Sequence, residues 1–412
     1  MLFKKIINRL FILFVSLNIC IGNECSGDAN LDNHINIHDI ILISNHTLNF
    51  SLLEGYALAN ADINNDNIIN ILDIIQVIDL ILNNLDYCID TSIIDLSQDW
   101  ETQNDLSYFD YNQLINILNT GIDNLNSIRG IIIIHKGKIV QENYYNGSFI
   151  SEIYNIRSVT KSFIATLIGQ IIDQGFSINV EDTLNNIINH PDSHLDNITL
   201  ENLLTMSSGY YDYYIYPDWV YADLEELIEM PAVNPGNFWY NNSACHLNAH
   251  IIFETTGLTP VEFANNNLFP YLNIENPFWL EGSNNINDGS SNLWLTLRDM
   301  VKLGQLYNQN GFASLNNQIV SSEWINKATS NYIQTGWSYY GFNNLDGYGY
   351  LWWIPNEGYL AYGYGGQFIA VFPSRDLVVG IHSETFSETS YQIEILNIIY
   401  DQIAPLFNRS NY

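Results

Sequence analysis

Ser158-Val159-Thr160-Lys161-Ser162-Phe163 opens a mostly apolar run that continues to Gly175, and the reading of this stretch decides most of the chain. The run has the length and the stop signal of a buried helix, with Gly175 closing it. At helical spacing i and i+3, the Ser158 hydroxyl and the Lys161 amine share one face and come within hydrogen-bonding reach. Desolvation pushes a buried amine toward its neutral form, which can then take the proton of a nucleophile. The backbone amides left free at the start of a helix, where Ser158 stands, are donors for a developing oxyanion. Taken alone, the tetrapeptide reads more readily as a helix cap followed by a surface lysine. Three commoner catalytic signatures are missing: the sequence has no Gly-x-Ser-x-Gly, no His-Glu-x-x-His and no Gly-x-x-x-x-Gly-Lys.

The company of the motif reverses that reading. After it come Leu203-Leu204-Thr205-Met206-Ser207-Ser208-Gly209, Tyr240-Asn241-Asn242, Leu295-Thr296-Leu297-Arg298-Asp299-Met300 and Gly363-Tyr364-Gly365-Gly366-Gln367. In order and spacing this set resembles the penicillin-recognising serine hydrolases. Within them it is most similar to the class C β-lactamase-related group that includes carboxylesterases, D-aminopeptidases and the 6-aminohexanoate-dimer hydrolase. The resemblance covers residues 105 to 400 and implies an α+β, β-lactamase/transpeptidase-like fold: an antiparallel sheet flanked by helices, with a helical subdomain. The local patterns agree with strands at both ends of the domain and helices between them. Gly130 to Val140 reads as a hairpin turning at Lys136-Gly137, and Tyr348 to Ile354 and Gln367 to Val379 have the aromatic and β-branched content of strands.

Carried over position by position, the resemblance implies Ser158 as nucleophile and Lys161 as the amine that helps deprotonate it. Tyr240 would be the second acid/base, protonating the leaving group, and Asn242 would orient substrate and Lys161. The amides of Ser158 and Tyr364 would form the oxyanion hole, with Ala361-Tyr362-Gly363 as the strand beside it. Where the antibiotic-hydrolysing members carry a lysine for the β-lactam carboxylate, Ala361 and Tyr362 stand instead, so efficient β-lactamase activity is not expected. Hydrolysis of an ester or amide, without a catalytic cofactor, is the implied reaction. The same pocket without turnover, as a ligand-binding or sensor module, is the alternative, since an intact residue set does not guarantee catalysis.

Other candidates in this domain have plainer readings. Tyr210, Tyr211, Tyr213, Tyr214 and Trp219 either line a subsite or pack their own loop. His246 and His250, four apart on a helix, have a spacing that can hold a transition metal, but the preferred reading is one packed and one solvated histidine. Glu225-Glu226 reads as a solvated helix face, and His190 and His194 sit in a Pro-Asp loop that says little.

Toward the amino terminus, Asp28-Ala-Asn-Leu-Asp-Asn-His-Ile-Asn-Ile-His-Asp39 recurs as Asp62-Ile-Asn-Asn-Asp-Asn-Ile-Ile-Asn-Ile-Leu-Asp73, an internal duplication thirty-four residues apart. Oxygen-bearing side chains occupy loop positions 1, 3, 5, 9 and 12: Asp28, Asn30, Asp32, Asn36 and Asp39, then Asp62, Asn64, Asp66, Asn70 and Asp73. Position 7, His34 or Ile68, would offer its backbone carbonyl. Hard oxygen ligands at this spacing suit calcium. Asn33 and Asn67 replace the usual glycine at position 6, which asparagine tolerates because it visits the left-handed region. The segment resembles a type I dockerin, a small α-helical module with paired EF-hand-type loops, which implies structural calcium and a cohesin-type protein partner. At positions 10 and 11 stand Ile37-His38 and Ile71-Leu72 instead of the hydroxylated pair frequent in that family.

Residues 1–22 combine Lys4, Lys5 and Arg9 with an apolar run too short to span a membrane, as a secretory signal peptide does. A lipoprotein signal through Cys20 is the weaker alternative. Cys25 and Cys88 bracket the duplicated segment and are read with equal weight as a disulfide or as two thiols; Cys245 reads as a buried apolar residue. The expected organisation is a signal at 1–22, a dockerin-like module at 23–90, a linker at 91–104 and a serine hydrolase domain at 105–405. Thirteen Lys and Arg against forty-five Asp and Glu give a net charge of −32, which excludes a phosphate-neutralising nucleic-acid binder. Apolar residues make up 47% of the 412, enough for a large core. An exported protein, extracellular or periplasmic or attached to a cell surface, is the overall expectation.

Overall fold

The computed structural model describes residues 27–30, 35–53, 55–64, 68–82, 93–123, 125–190, 193–210, 218–336, 345–385 and 388–407. They fall into two units, one within residues 1–91 together with 411–412, the other from Ser92 to Ser410. The expected signal at 1–22, Cys20, Cys25 and Cys88, the loop residues Asp32, His34 and Asp66, and Tyr211, Tyr213 and Tyr214 lie outside the described residues. Among the described residues no helix is long and apolar enough to cross a membrane.

In the small unit, helices α1 (Ile37–Thr47), α2 (Gly55–Ala61) and α3 (Ile71–Leu82) enclose Ile35, Ile43, Ala61, Ile74 and Val77. The duplication is repeated bond for bond. Asp39 accepts from the amides of Ala29 (2.9 Å) and Asn36 (2.8 Å), and Asp73 accepts from those of Ile63 (3.0 Å) and Asn70 (2.8 Å). Asn36 caps α1 through the His38 amide and Asn70 caps α3 through the Leu72 amide, both at 2.8 Å.

The large unit is built on an eight-stranded antiparallel sheet. Its strands, with two minor sheets, are β1 (Ile128–His135), β2 (Lys138–Tyr144), β3 (Tyr154–Asn155), β4 (Phe278–Trp279), β5 (Leu293–Leu295), β6 (Phe312–Ser314), β7 (Asn317–Gln318), β8 (Ile333–Gln334), β9 (Gly347–Tyr348), β10 (Trp353–Ile354), β11 (Tyr359–Gly363), β12 (Gln367–Phe372) and β13 (Leu377–Ser383). The order of the main sheet is β2-β1-β13-β12-β11-β10-β9-β8, and β3-β5-β4 form a separate three-stranded sheet. Ile131 to Ile134 are all buried, as are all residues of β12 and β13, so these strands read as unbroken apolar runs and not as alternating ones. Both faces are therefore covered. Lys136 and Gly137, both at positive φ, close the β1–β2 hairpin.

Helix α4 (Thr160–Asp173) is buried along nearly its whole length and packs against α5 (Asn242–Thr256), which also touches the short helices 184–188, 200–204 and 224–228. This is the helical subdomain. Helix α6 (Leu297–Asn308) lies on β12 and β13.

Two expectations change. Residues 93–104 are no linker: Leu96 is fully buried, its amide bonds the Ala313 carbonyl, and Thr102 bridges Ile139 at the β2 edge. The Lys302 amine donates to the carbonyls of Leu96 and Gln98 and fastens this strap. Leu96 and Trp100, with Ile94 packed against the core, are the apolar anchors that hold the stretch down. Tyr348 to Ile354 is likewise not one strand. Leu351 takes a left-handed φ of 57°, and the chain turns back so that Trp353 pairs with Tyr348.

Candidate active site

The start of α4 is fixed from both sides. The Ile156 amide bonds the Leu293 carbonyl at 2.9 Å, continuing the β3–β5 ladder, and the Arg157 amide bonds the Asn155 side chain at 2.9 Å. Arg157 sits at φ 51°, a left-handed kink that turns the chain abruptly from strand into helix. Ser158 follows at once, on the 3-10 turn Arg157–Val159, and is partly open to solvent.

One turn on, Lys161 is 1% exposed, and its amine has three acceptors: Ser158 Oγ at 2.9 Å, Asn242 Oδ1 at 2.8 Å and the Ser290 carbonyl at 2.7 Å. It lies 5.0 Å from the centre of the Tyr240 ring. The Tyr-x-Asn spacing has a local cause. Asn241 turns inward, caps α5 through the Ala244 amide and bonds the Tyr210 carbonyl, both at 2.7 Å, so its neighbours face outward on the side of Lys161. Tyr240 stacks on Trp353 at 5.7 Å and meets Tyr348 edge-on.

Strand β11 closes the site. A Cβ on Gly363 would lie 2.4 Å from the Ile156 carbonyl oxygen, so only glycine lets the strand approach the segment that carries Ser158. Gln392, buried, accepts from the Tyr362 hydroxyl (2.9 Å) and the Gly365 amide (3.1 Å), and Gln367 and Ser383 exchange a second pair of bonds behind the turn. Ala361 is buried and the Tyr362 phenol is engaged by Gln392, with burial holding it un-ionised by raising its pKa. Tyr364 is exposed.

In the small unit Asp28, Asp39 and Asp73 are at most 1% exposed. No Lys or Arg occurs between Arg9 and Arg129, and three carboxylates are buried in this segment. Such a donor set fits a hard divalent cation. Ile37, Ile41, Ile71, Leu72 and Ile75 are exposed on its surface.

With this geometry in hand, comparison with known families is decisive. Residues 123–399 match the beta-lactamase family model. The chain belongs to the beta-lactamase family. Residues 26–82 match the dockerin type I domain model. Among solved structures, the beta-lactamase-like domain is similar to a putative 6-aminohexanoate-dimer hydrolase from Bacillus anthracis, at 22% identity over 74% of this chain and 87% of that one, TM-score 0.59. It is also similar to a putative beta-lactamase from Bacteroides dorei (15%, 72% and 99%, TM-score 0.63) and to a class C beta lactamase from Rhodobacter sphaeroides (15%, 71% and 99%, TM-score 0.54). At these identities the likeness is one of fold. A search of curated protein sequences finds no match.

The remaining candidates of the beta-lactamase-like domain resolve as follows. His246 and His250 are both buried, not one packed and one solvated, because α5 is enclosed on every side. Their rings meet edge-on at 5.0 Å, His246 Nδ1 accepts from the Gly289 amide, and burial pushes their pKa down to about 4 and about 3. Among the described residues no three His, Cys, Asp or Glu form a metal-binding group. Tyr210 is a core residue, 1% exposed, and Trp219 reaches Asp288. Glu225 and Glu226 are exposed; the first meets His190 and the second caps its own helix. Cys245 is buried, with burial raising its thiol to about 12. Sequence reasoning missed Asn155, Asp288, Ser290 and Gln392. Ser290 was invisible in principle, since it acts through its backbone carbonyl.

Proposed function

We propose that the large domain hydrolyses an ester or amide bond through an acyl-enzyme on Ser158. The observation that carries this reading is the threefold hold on the Lys161 amine. The Asn242 and Ser290 oxygens can only accept, so they fix two amine hydrogens and turn the third tetrahedral direction to Ser158 Oγ. In a neutral amine that direction is the lone pair. Lys161 then takes the Ser158 proton as Oγ attacks the carbonyl carbon, and the amides of Ser158 and Tyr364 receive the oxyanion. Tyr240, against the same amine, gives its proton to the leaving group and takes over the one Lys161 received, which restores both groups; water then attacks the acyl carbon, its proton passing back by the same groups to Ser158 Oγ as the acid leaves. Strand β11 offers no cation, which supports a substrate without the carboxylate of a β-lactam.

The amino-terminal module would serve attachment. Asp28, Asn30, Asp32 and Asp39, with Asp62, Asn64, Asp66 and Asp73, would hold calcium, with the carbonyls of His34 and Ile68; Asn36 and Asn70 are committed as helix caps and would act through water. Calcium there would be held by hard carboxylate and carbonyl oxygens at the spacing it prefers. The partner class is a cohesin-type protein, and the setting is outside the cytoplasm. Hydrolysis of short-chain p-nitrophenyl esters and a D-amino-acid anilide by wild type and Ser158→Ala tests the reading. Turnover lost in the variant supports it, and no turnover in either protein favours a ligand-binding module.

A further inference from the structure

Asp288 is a completely buried carboxylate that no motif singled out. Its Oδ1 accepts from the Ser290 amide (2.9 Å), the Ser290 hydroxyl (2.8 Å) and Trp219 Nε1 (3.4 Å). Its Oδ2 accepts from the Ser291 hydroxyl (2.9 Å) and Asn292 Nδ2 (2.8 Å). All five partners are donors, which is the set a carboxylate satisfies and a carboxamide does not.

Two arms run from this group to the proposed chemistry. In the first, the turn that Asp288 folds around itself aims the Ser290 carbonyl at Lys161 Nζ, 2.7 Å away. In the second, Asn292 Oδ1 accepts from Asn155 Nδ2 at 2.7 Å, and Asn155 Oδ1 accepts from the Arg157 amide at 2.9 Å. That amide belongs to the left-handed residue immediately before Ser158. One carboxylate therefore braces both the base and the backbone of the nucleophile. Asn292 itself stands at φ 63°, a left-handed conformation that asparagine tolerates and that the bonds to Asp288 and Asn155 hold in place. An isolated buried charge is costly, and the full complement of donors is what makes it tenable.

We propose that Asp288 is a positioning residue for the hydrolase reaction, setting the mutual placement of Lys161 and Ser158 without touching substrate. The proposal rests on the hydrolase reading above. Pre-organised geometry of this kind acts on the chemical step and leaves substrate binding largely alone.

The test compares wild type, Asp288→Asn and Asn292→Gly. Asp288→Asn keeps the shape but turns an NH2 toward the donors that one oxygen now receives, three at Oδ1 or two at Oδ2, so one arm opens. Asn292→Gly tolerates the positive φ and cuts the second arm only. The readouts are the rate of fluorophosphonate labelling per folded molecule and the kcat and KM for a p-nitrophenyl ester, with melting temperature as the fold control. We expect labelling and kcat at least tenfold lower in Asp288→Asn and several-fold lower in Asn292→Gly, with KM within twofold of wild type. Labelling at the wild-type rate in both folded variants overturns the proposal while leaving the hydrolase reading intact; should Asp288→Asn not fold, Asn292→Gly decides alone. A wild-type protein that is not labelled overturns the hydrolase reading and this proposal with it.

Discussion

Lys161 Nζ lies 2.9 Å from Ser158 Oγ, and both remaining directions of that amine end on oxygens that cannot donate. The side chain is buried, so neither its position nor its partners can be exchanged for water at low cost. Replacing it with methionine keeps the bulk and removes the amine that the proposed mechanism uses as proton carrier. Lys161→Met is expected to lower kcat for ester hydrolysis by a factor of about 10² to 10⁴, the usual size of a general-base contribution, with the fold retained by near-UV circular dichroism. Activity within threefold of wild type would remove Lys161 from the mechanism.

Tyr240 tests the other proton transfer. Its ring is held by Trp353 and Tyr348, so Tyr240→Phe loses the hydroxyl while the stack remains. The expected loss is again about 10² or more in kcat, with KM little changed, and larger for an anilide than for a p-nitrophenyl ester, whose leaving group needs no proton. Equal effects on the two substrates would argue against a role at the leaving group.

Gly363→Ala tests the closeness of β11 to the nucleophile segment. The added Cβ meets a backbone oxygen at 2.4 Å, and backbone gives way less readily than a side chain. The strand must move away from Ser158, so activity should fall at least tenfold while the melting temperature drops by only a few degrees. An alanine variant with wild-type kcat would show that the approach is not needed.

The buried histidines make a pH prediction. Burial holds His135 and His246 at about 4, and His250 and His382 at about 3, below the ordinary 6.5. Between about pH 6.5 and 4 the unfolded chain binds protons that the folded chain does not, so stability is full above that window and falls as the pH drops through it. Each such group contributes at most about 1.4 kcal/mol per pH unit there. The melting temperature of the large domain should decline steadily from pH 7 to pH 5. A flat profile over that range would contradict neutral, buried histidines.

Chelation separates the two modules. With EDTA the small unit should lose helical circular dichroism and regain it on adding calcium, while ester hydrolysis by the large domain stays within twofold. Asp39→Ala and Asp73→Ala together should reproduce the loss without chelator. Hydrolysis that disappears in parallel with calcium would contradict the division of roles.

Sequence alone reached the fold class, because ordered motifs and apolar runs such as Ile131 to Ile134 survive as core strands and because Ser158 and Lys161 are one helical turn apart. It also paired Tyr240 with Asn242, whose spacing turns on the inward cap Asn241. What stayed hidden acts through backbone or through long-range contacts. Ser290 contributes a carbonyl, Asn155 and Asn292 meet across 137 residues, and Gln392 braces a turn 27 residues away. The strap at 93–104 is hidden because Ile94, Leu96 and Trp100 anchor it outside any regular helix or strand, so no periodicity announces their burial. That both His246 and His250 are buried is hidden from helix periodicity, which reports one neighbouring surface where α5 has several.

The central claim is that Ser158 is an activated nucleophile, and peptide mapping of the protein after treatment with a fluorophosphonate tests it most directly. The account predicts one adduct, on Ser158, formed in wild type and absent or at least a hundredfold slower in folded Lys161→Met. A wild-type protein that acquires no adduct at Ser158, or a Lys161→Met variant labelled at the same rate, would contradict it.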